Sequence, residues 1–70
     1  MQWATIVGAN IRRIRTGAGL TQEQLAGEAD IAMRHLGRIE RGEGNPTTEL
    51  LGKLAAILRV HPRDFFEDAE

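Results

Sequence analysis

Met33, Arg34 and Arg38 are spaced so that a short helix would carry them together on its outer side. An arginine placed there can do two kinds of chemistry. Its planar guanidinium can grip guanine O6 and N7 with two parallel hydrogen bonds, or it can pair with a phosphate. Met33 offers the apolar contact that a thymine methyl takes. Taken alone, the same residues equally form a solvated charged face, the ordinary condition of surface arginines. The elements that hold them decide between these readings.

Leu20-Thr21-Gln22-Glu23-Gln24-Leu25-Ala26 has the pattern of a helix start. Thr21 and Gln24 match a capping box, in which hydroxyl and amide satisfy each other's backbone donors, and Leu20 and Leu25 have hydrophobic-staple spacing. This helix is expected to end near Glu28 or Ala29. Gly27 to Ile31 leaves room only for a tight turn before the next helix, about Ala32 to Arg41, whose Leu36 and Ile39 face inward with Ala29 and Ile31. Gly42 stops it. Two brief helices joined by a tight turn, the second carrying outward arginines, is how a helix-turn-helix presents a recognition helix.

The flanking segments are helical as well. Val7, Ile11 and Ile14 form one apolar stripe on a helix from about Ala4 to Thr16, with Arg12, Arg13 and Arg15 beside it and Gly17 and Gly19 to end it. Pro46 disfavours helical geometry at Asn45, so Glu43 to Pro46 is a loop. A fourth helix starts near Thr47 or Thr48 and runs to about Arg59. Leu51, Leu54, Ala55 and Leu58 form its apolar face, widened by Leu50 and Ile57. Pro62 fits the first position of a last short helix reaching about Glu67. The pattern predicts an all-α fold, a compact five-helix bundle forming a single domain over residues 1–70.

Composition narrows the function classes. The chain has no cysteine, which excludes disulfides and thiolate metal sites, and no run of about 20 apolar residues that could span a bilayer. The N-terminus lacks the order of a signal peptide, so a soluble cytoplasmic protein with no membrane partner is expected. The formal net charge of −1 argues at first against nucleic acid, but its distribution is uneven. Residues 1–42 hold six arginines against four acidic residues, and residues 43–70 hold three bases against six. A mildly basic first half is compatible with one face meeting phosphates. There is no Gly-rich phosphate loop, no nucleophile beside a base and no carboxylate pair, so an enzyme is not expected. His35 and His61 lie far apart and make no metal pair; no cofactor and no small-molecule ligand is implied.

Thr21-Gln22-Glu23-Gln24-Leu25-Ala26, Ile39-Glu40-Arg41-Gly42 and Asn45-Pro46-Thr47, in this order and spacing, resemble the phage-repressor (Cro-like, or XRE) helix-turn-helix family over about residues 6–67. The resemblance implies a lambda-repressor-like architecture. It also implies a homodimer whose recognition helices enter successive major grooves of a pseudo-palindromic operator, with half-sites about 34–36 Å apart. DNA-facing positions carried over are Gln22, Ala32, Met33, Arg34, Gly37, Arg38, Arg41 and Asn45. Gln22 would touch a phosphate and brace the recognition helix, and Arg41 and Asn45 would flank a phosphate-contacting loop. Gly37 either lets the helix approach the groove floor or relieves crowding. Arg15 and Glu40 would form a partly buried ion pair. Two departures stand out. Glu43 puts a negative charge where a base would help. Ala32 replaces the usual capping Ser or Thr, so that Asp30 is expected to cap the third helix. Both point to modest affinity per monomer and greater reliance on dimerisation.

Ile57, Pro62 and Phe66 are dimer-interface candidates, equally placed to fill a small core, whereas Val60 and Phe65 read as core. Trp3 covers either the bundle or that interface. The leading function is a sequence-specific, DNA-binding transcriptional regulator. The alternative is a protein-interaction module, such as an antitoxin, with weak DNA binding; the acidic balance and Glu43 are its support.

Overall fold

The computed structural model describes residues 2–68. Four α-helices follow one another, α1 Trp3–Gly17, α2 Gln22–Ala29, α3 Met33–Glu40 and α4 Thr48–Leu58, closed by a 3₁₀ helix at Pro62–Phe66. Among the described residues there is no strand. The five-helix expectation is therefore corrected at the last element. Five residues are fewer than two α-turns, Pro62 has no N–H to give, and the start is tied locally. His61 Nδ1 accepts from the Arg63 N–H at 3.0 Å, the Asp64 carboxylate accepts from the His61 N–H at 3.1 Å, and the Asp64 N–H closes a turn onto the His61 carbonyl at 2.8 Å.

Local chemistry explains the helix starts. At α2 the Thr21 hydroxyl accepts from the Gln24 N–H at 3.0 Å while the Gln24 amide oxygen accepts from the Thr21 N–H at 2.8 Å. This is a complete capping box. At α4 the Thr47 hydroxyl accepts from the Leu50 N–H at 3.0 Å. Helix α3 begins at Ala32 without a side-chain cap, which corrects the expected role of Asp30. That residue instead sits in the left-handed region, φ 58°, and closes α2. A short polar side chain tolerates that conformation better than most.

The core lies where all five elements meet. Ile11, Leu25, Leu36, Ile39, Leu54 and Phe65 are fully buried, each side chain stabilising the fold by about 1.5–3 kcal/mol relative to exposure. α1 packs on α3 and on the 3₁₀ helix, and α2 packs on α3 and α4. At the α1–α3 crossing the backbones nearly touch. A Cβ added at Gly8 would overlap the Ile39 carbonyl oxygen and lie 2.9 Å from that of Glu40. Only glycine permits this approach.

Asn10 is a buried polar residue on the apolar side of α1, three residues from Val7 and four from Ile14. Its side-chain amide donates to the Phe65 carbonyl at 2.8 Å and to the Glu67 carbonyl at 2.7 Å, tying the end of the chain to α1. Lys53 Nζ likewise reaches from α4 to the Ala29 carbonyl at 3.0 Å, satisfying an acceptor at the end of α2.

Two substitutions test this frame by urea unfolding. Asn10→Ala strands two carbonyls and should lower the unfolding free energy by about 1–3 kcal/mol. Gly8→Ala forces α1 off α3 and should lower it by about 1–3 kcal/mol or more. An unchanged unfolding midpoint in either variant would contradict the corresponding contact.

Candidate nucleic-acid interface

The site is built around one carboxylate. Glu40, at the end of α3, has a side chain only 2% exposed, and the Arg15 side chain beside it is 9% exposed. Arg15 Nε lies 2.6 Å from Glu40 Oε2, and Arg15 Nη2 donates to Glu40 Oε1 at 3.0 Å. Arg15 Nη1 donates to the Leu20 carbonyl at 2.8 Å, and Gln22 Nε2 donates to Glu40 Oε1 at 2.9 Å. The end of α1, the α1–α2 turn, the first residue of α2 and the end of α3 thus converge on Glu40. The bidentate fork fixes orientation as well as distance. No buried side-chain nitrogen or oxygen among the described residues lacks a partner.

Three turn residues, Asp30 to Ala32, separate α2 from α3. The inner side of α3 carries Leu36 and Ile39, which are buried; on the outer side Met33, Arg34 and Arg38 are exposed, as are Ala32 before the helix and Arg41 and Asn45 after it. His35 is exposed too. Arg34, His35, Arg38 and Gly44 line an open hollow of about 280 Å³. Among the described residues Arg34 and Arg38 form no ion pair, whereas Arg41 Nη2 lies 3.3 Å from Glu43 Oε1.

Gly37 does not share this outer face. It is buried, and a Cβ there would meet Arg41 Nη1 at 3.3 Å and Gln22 Oε1 at 3.5 Å. The Gln22 distance is ordinary van der Waals contact, and the tighter one is with the flexible end of Arg41.

The dimer candidates are dispersed. Ile57 and Pro62 are half-buried, and Phe66 is 42% exposed. Phe66 meets Trp3, itself 51% exposed, with ring centroids 6.0 Å apart and a tilt of 58°. Beside this pair Trp3, Val7, Pro46, Leu51 and Phe66 line an apolar hollow of about 200 Å³, which Ile57 and Pro62 do not join. No helix is long and apolar enough to cross a membrane, among the described residues.

Sequence reasoning missed the Arg41–Glu43 pair and the two long-range anchors, Asn10 and Lys53. A lone asparagine inside an apolar stripe was a legible signal for the first anchor. Nothing local marks Lys53, whose partner lies 24 residues away.

Comparison with known proteins gives concordant matches. A family model described as "Helix-turn-helix" matches residues 11–65. The uncharacterized HTH-type transcriptional regulator y4dJ of Sinorhizobium fredii is 38% identical over 60 residues, covering 86% of this chain and 78% of that protein. The restriction-modification controller protein C.AhdI from Aeromonas hydrophila superposes with a TM-score of 0.86 at 35% identity, covering 90% of this chain and 96% of that one. The master regulator for biofilm formation SinR, solved in complex with DNA, superposes with a TM-score of 0.82 at 31% identity over 87% of this chain and 98% of that one.

Glu40→Ala leaves the Arg15 guanidinium buried without its counter-charge and should lower unfolding free energy by about 3–5 kcal/mol. Gln22→Ala removes one hydrogen bond and should lower it by about 0.5–1.5 kcal/mol. Thermal or urea unfolding that ranks Gln22→Ala as the more damaging would contradict a Glu40-centred arrangement.

Proposed function

Since the chain belongs to the phage-repressor-type helix-turn-helix family of transcriptional regulators, we propose that residues 1–70 form one unit that binds double-stranded DNA sequence-specifically in the cytoplasm. Two copies lie on a pseudo-palindromic operator, each with α3 in the major groove and half-site centres about 34–36 Å apart. The observation that carries this reading is the exposure of Arg34 and Arg38, with no ion pair among the described residues, on the side of α3 opposite Leu36 and Ile39.

Roles follow from position. Arg34, Arg38 and Met33 face base edges. Arg41, Asn45 and the second N–H of the Gln22 amide face phosphates, Gln22 giving its first N–H to Glu40. Phosphate contacts supply affinity that falls with salt, and base contacts supply selectivity. Ile57, Pro62 and Phe66 are the proposed dimer contacts. Of these only Phe66 joins an exposed aromatic pair, with Trp3, in keeping with the aromatic enrichment of interface cores. Bound at a promoter, such a dimer either blocks polymerase or is placed to touch it.

Selection from a random DNA pool should return a palindromic consensus. On that consensus Arg38→Ala should cost about 1–3 kcal/mol and relax preference at one position per half-site. Equal loss on all sequences would refute base reading by Arg38. Absence of binding to random duplex even at low salt would favour the protein-interaction class instead.

A further inference from the structure

The four α-helices end alike. Gly19, Asp30, Gly42 and Arg59 each take the left-handed conformation, with φ of 79°, 58°, 78° and 61°. The following N–H then bonds back across the last turn: Leu20 to the Arg15 carbonyl at 3.1 Å, Ile31 to Ala26 at 3.0 Å, Glu43 to Arg38 at 2.9 Å and Val60 to Ala55 at 3.0 Å. This termination usually seats an apolar side chain against the helix end. Leu20, Ile31 and Val60 do pack against the core. At the end of α3 the same position holds Glu43, whose side chain is 55% exposed and turned to Arg41.

A carboxylate is poorly placed for the fold here. It faces the negative end of the α3 dipole, and an exposed pair adds little stability. Its electrostatic effect falls instead on the guanidinium beside it. We infer that Glu43 is an internal competitor for DNA phosphate: it occupies Arg41 in the free protein and must be displaced before Arg41 can contact the backbone. The competition lowers affinity for every duplex alike and leaves base reading by Arg34 and Arg38 untouched. In the complex a freed carboxylate remains beside the phosphates, so one fewer net charge is neutralised. This inference rests on the reading of the α3 face as the DNA surface. Weak binding to arbitrary sequence matters to such a protein because non-specific sites vastly outnumber specific ones.

The test measures affinity for a short random-sequence duplex by fluorescence anisotropy across a salt series, for the wild type, Glu43→Gln, Arg41→Ala and the double variant. The Glu43 side chain takes no part in the helix-ending hydrogen bond, so Glu43→Gln should fold normally. It should bind about two- to five-fold tighter, the size of an exposed charge pair. Its plot of log affinity against log salt should be steeper by about 0.9. In the Arg41→Ala background most of the gain should be lost, leaving only the direct repulsion of phosphate by the carboxylate. Equal affinity and slope for Glu43→Gln and a wild type that does bind would overturn the competition and leave the DNA reading standing. A full gain persisting without Arg41 would also overturn it, since Glu43 would then act as bulk charge alone. No binding by the wild type or Glu43→Gln at the lowest salt would overturn the DNA reading and the competition together.

Discussion

A carboxylate taken out of water is the constraint on which the rest of this structure depends. Moving an ion from water into a protein interior is unfavourable by several kcal/mol unless directed donors replace its hydration. Glu40 receives them from Arg15 on α1 and from Gln22 on α2, and Arg15 also holds the Leu20 carbonyl. Burial of Leu36 and Ile39 sets which side of α3 faces the bundle, but hydrophobic attraction is non-directional and leaves small rotations about the helix axis open. The Glu40 donors do not. They narrow the rotation of α3 that burial of Leu36 and Ile39 sets, and so hold Arg34 and Arg38 outward.

That choice matters because a chain of 70 residues has little apolar surface to spend on its core. The eight-residue α3 must supply core and outer face together. Its inner residues, Leu36 and Ile39, fill the centre. Beyond its end, Gly42 takes φ 78° close to Thr5 Cα, where an added Cβ would lie 2.9 Å away. The loop after α3 therefore rests on the start of α1. The backbone fixes where Glu43 sits, while its exposed side chain remains free to act on a neighbour.

Legibility in the sequence followed range. The capping box of Thr21 and Gln24, the start of α4 at Thr47 or Thr48, the stop at Gly42 and the apolar stripe of α1 could all be read. Each depends on residues within one or two turns, so spacing alone carries the information. Where two local solutions compete, spacing was insufficient. Asp30 had the chemistry of an N-cap, yet it ends α2 because the three-residue turn needs a left-handed residue there. The segment after His61 had a helical opening at Pro62, but five residues and a local cap hold it as a 3₁₀ turn.

Residue types and their intervals by themselves determined that this chain is all-helical, where most helices begin and end, and which side of α3 is polar. Tertiary structure alone decided that α1 crosses α3 at Gly8, that the Phe65 and Glu67 carbonyls are the ones Asn10 holds, that Lys53 closes α2 and that Gly37 is buried near Gln22 rather than on the outer face. The division has a physical cause. Helix periodicity and capping are satisfied by neighbours in sequence, whereas close backbone approach and the pairing of buried polar groups join residues tens of positions apart, whose meeting depends on the packing of the whole core.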